Sequence, residues 1–182
     1  MTFIDTAKTR IVQFDILISE LIKSAYSREC NVIIVSPWVQ DFSMPATWPS
    51  FSSNFIDIQD MQRISDILKR LRQNDVEVTL VTRSDSMLKK DGWSKSQRKD
   101  ALDFHERLKK VGVKICYNEK PHNKMTLTSE QVLVSSANLT NKGTDKERQD
   151  NSGILVSRLD DEKDYNGALE EAQKVIKEGI VE

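Results

Sequence analysis

The chain holds only two histidines and two cysteines in 182 residues. Cys30 and Cys116 lie beside or within apolar, strand-like runs and lack metal-ligand spacing. Neither a zinc site nor a disulfide framework is read from them; buried free thiols in a reducing compartment are expected. The carboxylate clusters of a metal site are not evident either, and no cofactor is expected. Long apolar runs are absent. No stretch approaches the length of a transmembrane helix, and none reads as an amphipathic membrane anchor. The first residues, Met1 to Lys8, lack a charged segment followed by an apolar run and a cleavage site. No signal peptide is read, and a cytoplasmic protein is expected. No internal repeat is visible, so the chain carries a single copy of any motif it holds.

What is present is ordinary for a soluble globular protein: 38% hydrophobic and 30% charged residues, with a net charge of −1. A chain of this length is expected to form one domain over residues 1–182, with a substantial core. Apolar residues recur at helical steps over 10–29 (Ile11, Phe14, Ile18, Leu21, Ile22, Ala25), 57–74 (Ile58, Met61, Ile64, Ile67, Leu68, Leu71) and 94–111, with a last helix over 162–178. Val32 to Val35 is a short β-branched run that reads as a buried central strand. Ser36-Pro37-Trp38-Val39 closes it as a turn with a packed Trp. Further strands are read over 76–82, 113–117 and 153–156, with Arg83 to Ser86 as a loop and Gly112 as a helix C-terminal cap. Residues 40–56 form a loop rich in aromatics. These either stack bases, contact a second copy, or pin the loop to the core. Alternating helices and strands indicate an α/β fold, a sheet layered between helices.

The most informative stretch runs from His122 to Thr140. Two apolar-rich runs flank Ser129-Glu130, which reads as a β-hairpin. Side chains alternate along strands, so His122 and Lys124 share a face, as do Ser136 and Asn138. Pairing the strands would bring an imidazole, an ammonium, a hydroxyl and an amide to one place. That set suits an anionic tetrahedral group such as a phosphodiester. His105, the other histidine, lies between Phe104 and Glu106 in a helical pattern and reads as a surface or boundary side chain without chemistry. The hairpin also makes the sheet mixed rather than purely parallel.

His122-Asn123-Lys124 followed by Ser135-Ser136-Ala137-Asn138-Leu139-Thr140 resembles the phospholipase D superfamily. Its signature is His-x-Lys, then Asp, then Gly-Ser-x-Asn. This chain departs from the signature in three ways. The interval is one residue shorter, Thr128, Ser129 and Glu130 stand where the Asp belongs, and Ser135 replaces the Gly. The resemblance implies a phospholipase D-like fold. It also implies a metal-independent reaction in which one imidazole attacks phosphorus, a second protonates the leaving oxygen, and Lys and Asn hold the nonbridging oxygens. His122, Lys124 and Asn138 take those catalytic places. Ser136 joins them on the substrate side. The family's acidic residue after the loop falls near Asp150 or Asn151, with Asp150 taken as the candidate. In this family the first strand often ends in a Ser-Pro-aromatic turn beside the active site, as at Ser36-Pro37-Trp38.

The net charge hides an asymmetry. Residues 83–124 carry 12 Lys and Arg against 6 Asp and Glu. Lys89, Lys90, Lys95, Arg98 and Lys99 are the densest group, with Trp93 among them. Such a group either binds a phosphate backbone or is a solvated helix face. Beside a phosphodiester site, Lys89 and Lys90 become candidate substrate contacts. The expected function is a nuclease acting on nucleic acid, DNA ahead of RNA, without a membrane partner. A single motif supplies one imidazole where the mechanism needs two, so a homodimer with a shared site is expected. Two alternatives stand beside it. One is a catalytically degenerate nucleic-acid-binding or scaffold subunit of a restriction or phage-defence system. The other is lipid phosphodiester hydrolysis.

Overall fold

The computed structural model describes residues 1–4, 6–43, 61–120, 124–140 and 152–181, with the backbone alone over 6–11. The elements run β1 (Thr2–Ile4), α1 (Thr6–Ser24), β2 (Asn31–Val35), α2 (Ile64–Gln73), β3 (Glu77–Thr82), α3 (Asp85–Lys90), α4 (Lys95–Lys110), β4 (Lys114–Tyr117), β5 (Lys124–Thr128), β6 (Gln131–Ser135), β7 (Gly153–Ser157), α5 (Glu162–Lys177) and β8 (Ile180–Val181). The strands form one eight-stranded sheet in the order β1-β7-β6-β5-β2-β3-β4-β8. Strands β2, β3 and β4 pair in parallel, and every other pairing is antiparallel. The sheet is therefore mixed, with the hairpin β5–β6 set against the buried strand β2.

Helices cover both faces. On one, Phe14, Leu17 and Leu21 of α1, Ile64, Ile67, Leu68 and Leu71 of α2, and Phe104 and Leu108 of α4 pack on Val32, Ile34, Val78, Leu80 and Ile115. The α2 stripe falls at i, i+3, i+4 and i+7, one side of a 3.6-residue helix. Its first turn is closed by Asp66, whose carboxylate accepts from the backbone N–H of Arg63 at 2.8 Å. Ser94 opens α4 with a reciprocal pair: its Oγ accepts from Gln97 N, and Gln97 Oε1 accepts from Ser94 N. Gly112, with φ +88°, follows the C-cap Val111 in the left-handed conformation that suits glycine. On the other face, Tyr165, Ala172 and Val175 of α5 cover Val35, Val81, Cys116 and Met125. Both cysteines are buried and free. Among the described residues, no helix is long and apolar enough to cross a membrane.

The structure differs from the sequence reading at several points. Helix α1 ends at Ser24, so Ala25 lies past it, exposed, and Ile22 is 37% exposed. Ile16, outside the expected stripe, packs with Ile4 and Leu133 on the sheet's far end. Helix α2 starts at Ile64, and residues 44–60 fall outside the description. The aromatic loop therefore reaches it only at Phe42. That residue is buried edge-on against Phe14, with ring centroids 5.7 Å apart, which pins it to the core. Arg83 to Ser86 is not wholly a loop: Asp85 opens α3, a short helix held by the buried Leu88. The short strands β1 and β8 were not read at all.

One row of side chains crosses the entire sheet on the α5 face. In register it runs Phe3, Ile154, Val134, Met125, Val35, Val81, Cys116, Val181. Its centre is buried under α5. Its β1–β7–β6 end is not, with Phe3 72%, Ile154 38% and Val134 37% exposed.

His105 is not at the surface. It is 1% exposed, within α4 and facing β4, with its Nδ1 3.4 Å from the hydroxyl of Tyr117. Burial, helped by the Lys109 charge and opposed by Glu106, lowers its pKa from 6.5 to about 4. Above pH 6.5 the ring is neutral in both folded and unfolded chains and adds no pH dependence. Below that, the unfolded chain takes up a proton that the fold refuses, so stability falls as the pH drops. The loss should approach about 3 kcal/mol by pH 4. Urea unfolding of wild type and His105→Leu at pH 7, 5 and 4 checks this. The wild type should lose more stability on acidification than the variant, and equal slopes would contradict it.

Candidate functional site

Strands β2, β3 and β4 end, β5 begins and β6 ends at the same edge of the sheet, where open α/β sheets bind ligands. Here β2 runs into Ser36, which is buried and acts as a staple. Its Oγ donates to Trp38 O at 2.7 Å and accepts from Leu139 N at 2.9 Å. Gln40 N donates to Leu139 O at 2.9 Å, and Val39 bridges Leu139 in parallel. The segment after β6 is thereby folded over the end of β2. Pro37 O accepts from the Thr82 hydroxyl at 3.3 Å, which ties the same turn to β3.

Lys124 is the first residue of β5 and stands opposite Ser135 of β6. It is partly buried. Ser135 Oγ donates to Ala137 O at 3.2 Å, which shapes the turn just past the strand. Asn138 follows, 7% exposed. Its Oδ1 is buried and has no hydrogen-bond partner among the described residues. An unsatisfied buried amide oxygen costs about 1–3 kcal/mol, so the fold holds a polar group here that it does not use for itself.

Three expectations need correction or limits. Ser136 and Asn138 lie beyond the end of β6, so strand alternation does not set their directions. Ser136 is exposed while Asn138 is buried. The Ser136 hydroxyl also accepts from Ser152 N at 3.0 Å, which closes the connection to β7. His122 and Asp150 lie outside the described residues. Lys89 and Lys90 end α3, exposed and in no ion pair among the described residues, as is Lys95. Arg98 and Lys99, counted in the same basic group, are engaged by Asp85 at 2.8 Å and Asp103 at 2.7 Å.

Sequence reasoning missed one unit at this end. The Trp38 indole N–H donates to Asp91 Oδ2 at 2.9 Å, and the Arg83 guanidinium pairs with the same carboxylate. Burial works to raise the Asp91 pKa. The bonds from Trp38 and Arg83, with the Arg83 charge, outweigh it and hold the carboxyl below its usual range. Trp93 packs on Trp38, with ring centroids 6.3 Å apart. The residues are 53 positions apart along the chain in the Trp38–Asp91 bond, so no local pattern announces the contact.

The hairpin turn is held by a carboxylate from outside the hairpin. Glu20 of α1, 2% exposed, accepts from Ser129 Oγ at 2.9 Å, Ser129 N at 3.3 Å and Asn31 N at 2.9 Å. Lys23 reaches Ser129 Oγ at 2.8 Å and pairs with Glu130. A carboxylate thus serves this turn from a helix rather than from the hairpin itself.

The sheet order, the strand-end Lys and Asn and the folded-over segment coincide with a match to a family model described as cardiolipin synthase, PLD-like domain, over residues 49–171. The chain belongs to this phospholipase D-like family. No curated protein sequence matches it. Among solved structures, NucT from Helicobacter pylori aligns with a TM-score of 0.59 at 14% identity, covering 98% of this chain and 96% of its own. Nuc from Salmonella typhimurium, described as a phospholipase D family member, aligns at 0.54 and 13% identity, covering 93% and 90%. TrmBL2, an archaeal chromatin protein described as having a novel mode of DNA binding, aligns at 0.52 and 9% identity, covering 98% of this chain and 53% of its own. At these identities the likeness is one of fold. The PLD-like sheet accounts for the placement of Lys124 and Asn138 at a common strand end.

The Asn138 amide generates a stability test. Asn138→Leu keeps the number and branching of side-chain heavy atoms and removes the orphaned oxygen. Its unfolding free energy should be unchanged or higher by about 1 kcal/mol. Chemical denaturation checks this; a loss above that size would mean the amide is satisfied in the fold.

Proposed function

We propose that this PLD-like chain is a metal-independent phosphodiester hydrolase that cleaves nucleic acid, DNA ahead of RNA, in a homodimeric site. One observation carries the reading: Lys124 and the buried Asn138, whose amide N–H groups can donate to a phosphate oxygen, stand at one strand end of a PLD-like sheet. A fixed cation and a neutral amide suit the nonbridging oxygens of a phosphodiester, where negative charge concentrates during transfer. His122, two residues before Lys124, is the nucleophile. Its imidazole nitrogen bonds to phosphorus as the bond to the leaving oxygen breaks, and a second imidazole protonates that oxygen. Water then attacks the phosphohistidine, giving its proton to the second imidazole and releasing the phosphate with His122 restored. Ser136 and Asp150 are assigned to the substrate side, and Lys89 and Lys90 to the phosphate backbone.

The second imidazole does not come from His105. That ring is 1% exposed and packed between α4 and β4. A second copy is the economical source, with a two-fold axis bringing both His122 rings to one phosphate. The exposed end of the apolar row supports a self-association surface. Val134 and Ile154 sit one position from Ser135 and Gly153, so their side chains lie on the opposite face of the sheet from Ser135 and Lys124.

The reading competes with a nucleic-acid-binding subunit without turnover. The motif departures at Ser129 and Ser135 favour that reading. Against it, His122, Lys124 and Asn138 are all present in the sequence, and Ser135 uses its hydroxyl within the turn that leads to Asn138.

Phosphodiester cleavage of labelled single- and double-stranded DNA and RNA should survive EDTA. Lys124→Ala should lower turnover roughly a hundredfold or more. Binding without turnover would leave the subunit reading, and EDTA-sensitive activity restored by Mg²⁺ would overturn the mechanism.

Assembly has its own test. Wild type should sediment as a dimer, and Phe3→Asp with Ile154→Asp should give a folded, inactive monomer. Wild type mixed with His122→Ala should yield nearly dead mixed dimers. A wild-type monomer with full activity, or mixed dimers at half rate, would refute the shared site.

A further inference from the structure

The Trp38–Trp93 pair is not used by the proposed chemistry, yet it sits beside it. Trp38 belongs to the turn whose Ser36 hydroxyl accepts from Leu139 N, the residue after Asn138. Its indole is oriented by the bond to Asp91, which Arg83 holds in turn. Trp93 packs against it at 48° and 6.3 Å. The Trp93 backbone is fixed at both ends of its peptide: its N–H donates to Leu88 O at 3.0 Å, and its carbonyl accepts from Arg98 Nη1 at 3.2 Å. Both rings are half-buried, and about Trp93 the chain exposes Gly92 and the side chains of Lys89, Lys90 and Lys95. None of those three lysines is in an ion pair among the described residues.

We propose that the Trp38–Trp93 pair is a stacking platform for an unpaired nucleobase, flanked by Lys89, Lys90 and Lys95 as contacts to the adjoining phosphates. The proposal rests on the nucleic-acid reading above and adds the strand state of the substrate: single-stranded or locally unpaired. The reason is geometric. Bases in a duplex are stacked on each other and present only their edges, whereas an unpaired base has a free π-face for an indole. Indoles whose polar tip and backbone are already bonded lose little freedom on binding, so the contact stabilises the complex more fully. The lysines add a sequence-independent, salt-sensitive attraction to the backbone on either side. The ties from Ser36 to Leu139 join the turn that carries Trp38 to the folded-over segment that carries Asn138. A base at the indoles would therefore lie on a turn bonded to the site's own segment.

The experiment is fluorescence anisotropy of full-length protein with a labelled oligo-dT and with a duplex of equal length, on ice, with probe integrity verified on a gel. Wild type should bind the single strand more tightly. Trp93→Ala should weaken single-strand binding roughly tenfold and leave duplex binding within twofold. Trp93→Phe, which keeps an aromatic face, should recover most of the loss. Lys89→Ala with Lys90→Ala should weaken both probes and flatten their salt dependence. Thermal unfolding of each variant separates binding loss from misfolding. Equal losses on both probes with Trp93→Ala, or no rescue by Phe, would overturn the platform while leaving the nucleic-acid reading intact. No binding of either probe by wild type would overturn both.

Discussion

The antiparallel pairing of β2 with β5 joins two differently built halves of this protein. Strands β2, β3 and β4, with α2 and α4, form a parallel unit whose strand ends all face one way. Strands β5, β6, β7 and β1 form an antiparallel meander. Val32, Ile33, Ile34 and Val35 register with Thr128, Leu127, Thr126 and Met125. That register alone puts Lys124 level with the end of β2, where Ser36 leaves the sheet. A slip of one residue would turn every β5 side chain to the opposite face. The apolar row on one face and the Ile34-centred core on the other both hold it in place.

The register is reinforced at both ends by polar groups, by different means. At the far end, the buried Glu20 carboxylate accepts from the hairpin turn and from the first residue of β2 together. A buried carboxylate is tolerated because three donors surround it, with Lys23 nearby bonded to the same Ser129 hydroxyl. At the near end, Ser36 donates once and accepts once, welding the turn after β2 to the segment after β6. The near end leaves the Asn138 oxygen unpaired. Satisfied polar groups fix the frame at one end, and an unsatisfied one remains at the other.

Much of the architecture was legible in the residues. The i, i+3, i+4 stripe of α2, the β-branched run of β2, the Gly112 cap and the hairpin about Ser129-Glu130 are local signals with local causes. What was misread depended on neighbours distant in sequence. His105 lies in a polar stretch of α4, and only the approach of Tyr117 on β4 shows that it is buried. Short strands such as β1 and β8 carry too few residues for a period, and they form because β7 and β4 offer free edges. Asp85 to Lys90 looked like a loop because one buried side chain, Leu88, is all that distinguishes its helix.

The sequence by itself determined the chemistry available: one His-x-Lys, one Ser-x-Asn, a basic middle segment and no second motif. Those are covalent facts, independent of folding. Tertiary structure alone decided how that chemistry is arranged. It set the buried Glu20 of α1 against the hairpin turn, took Ser136 out of strand alternation and into a bond with Ser152, and buried the second histidine. It also split the basic group into paired and unpaired members and brought Trp38 to Asp91 and Trp93. The physical reason is common to all of these. Burial and hydrogen bonding are set by which groups meet across the sheet, and those meetings depend on strand register and helix placement, which no short stretch of sequence contains.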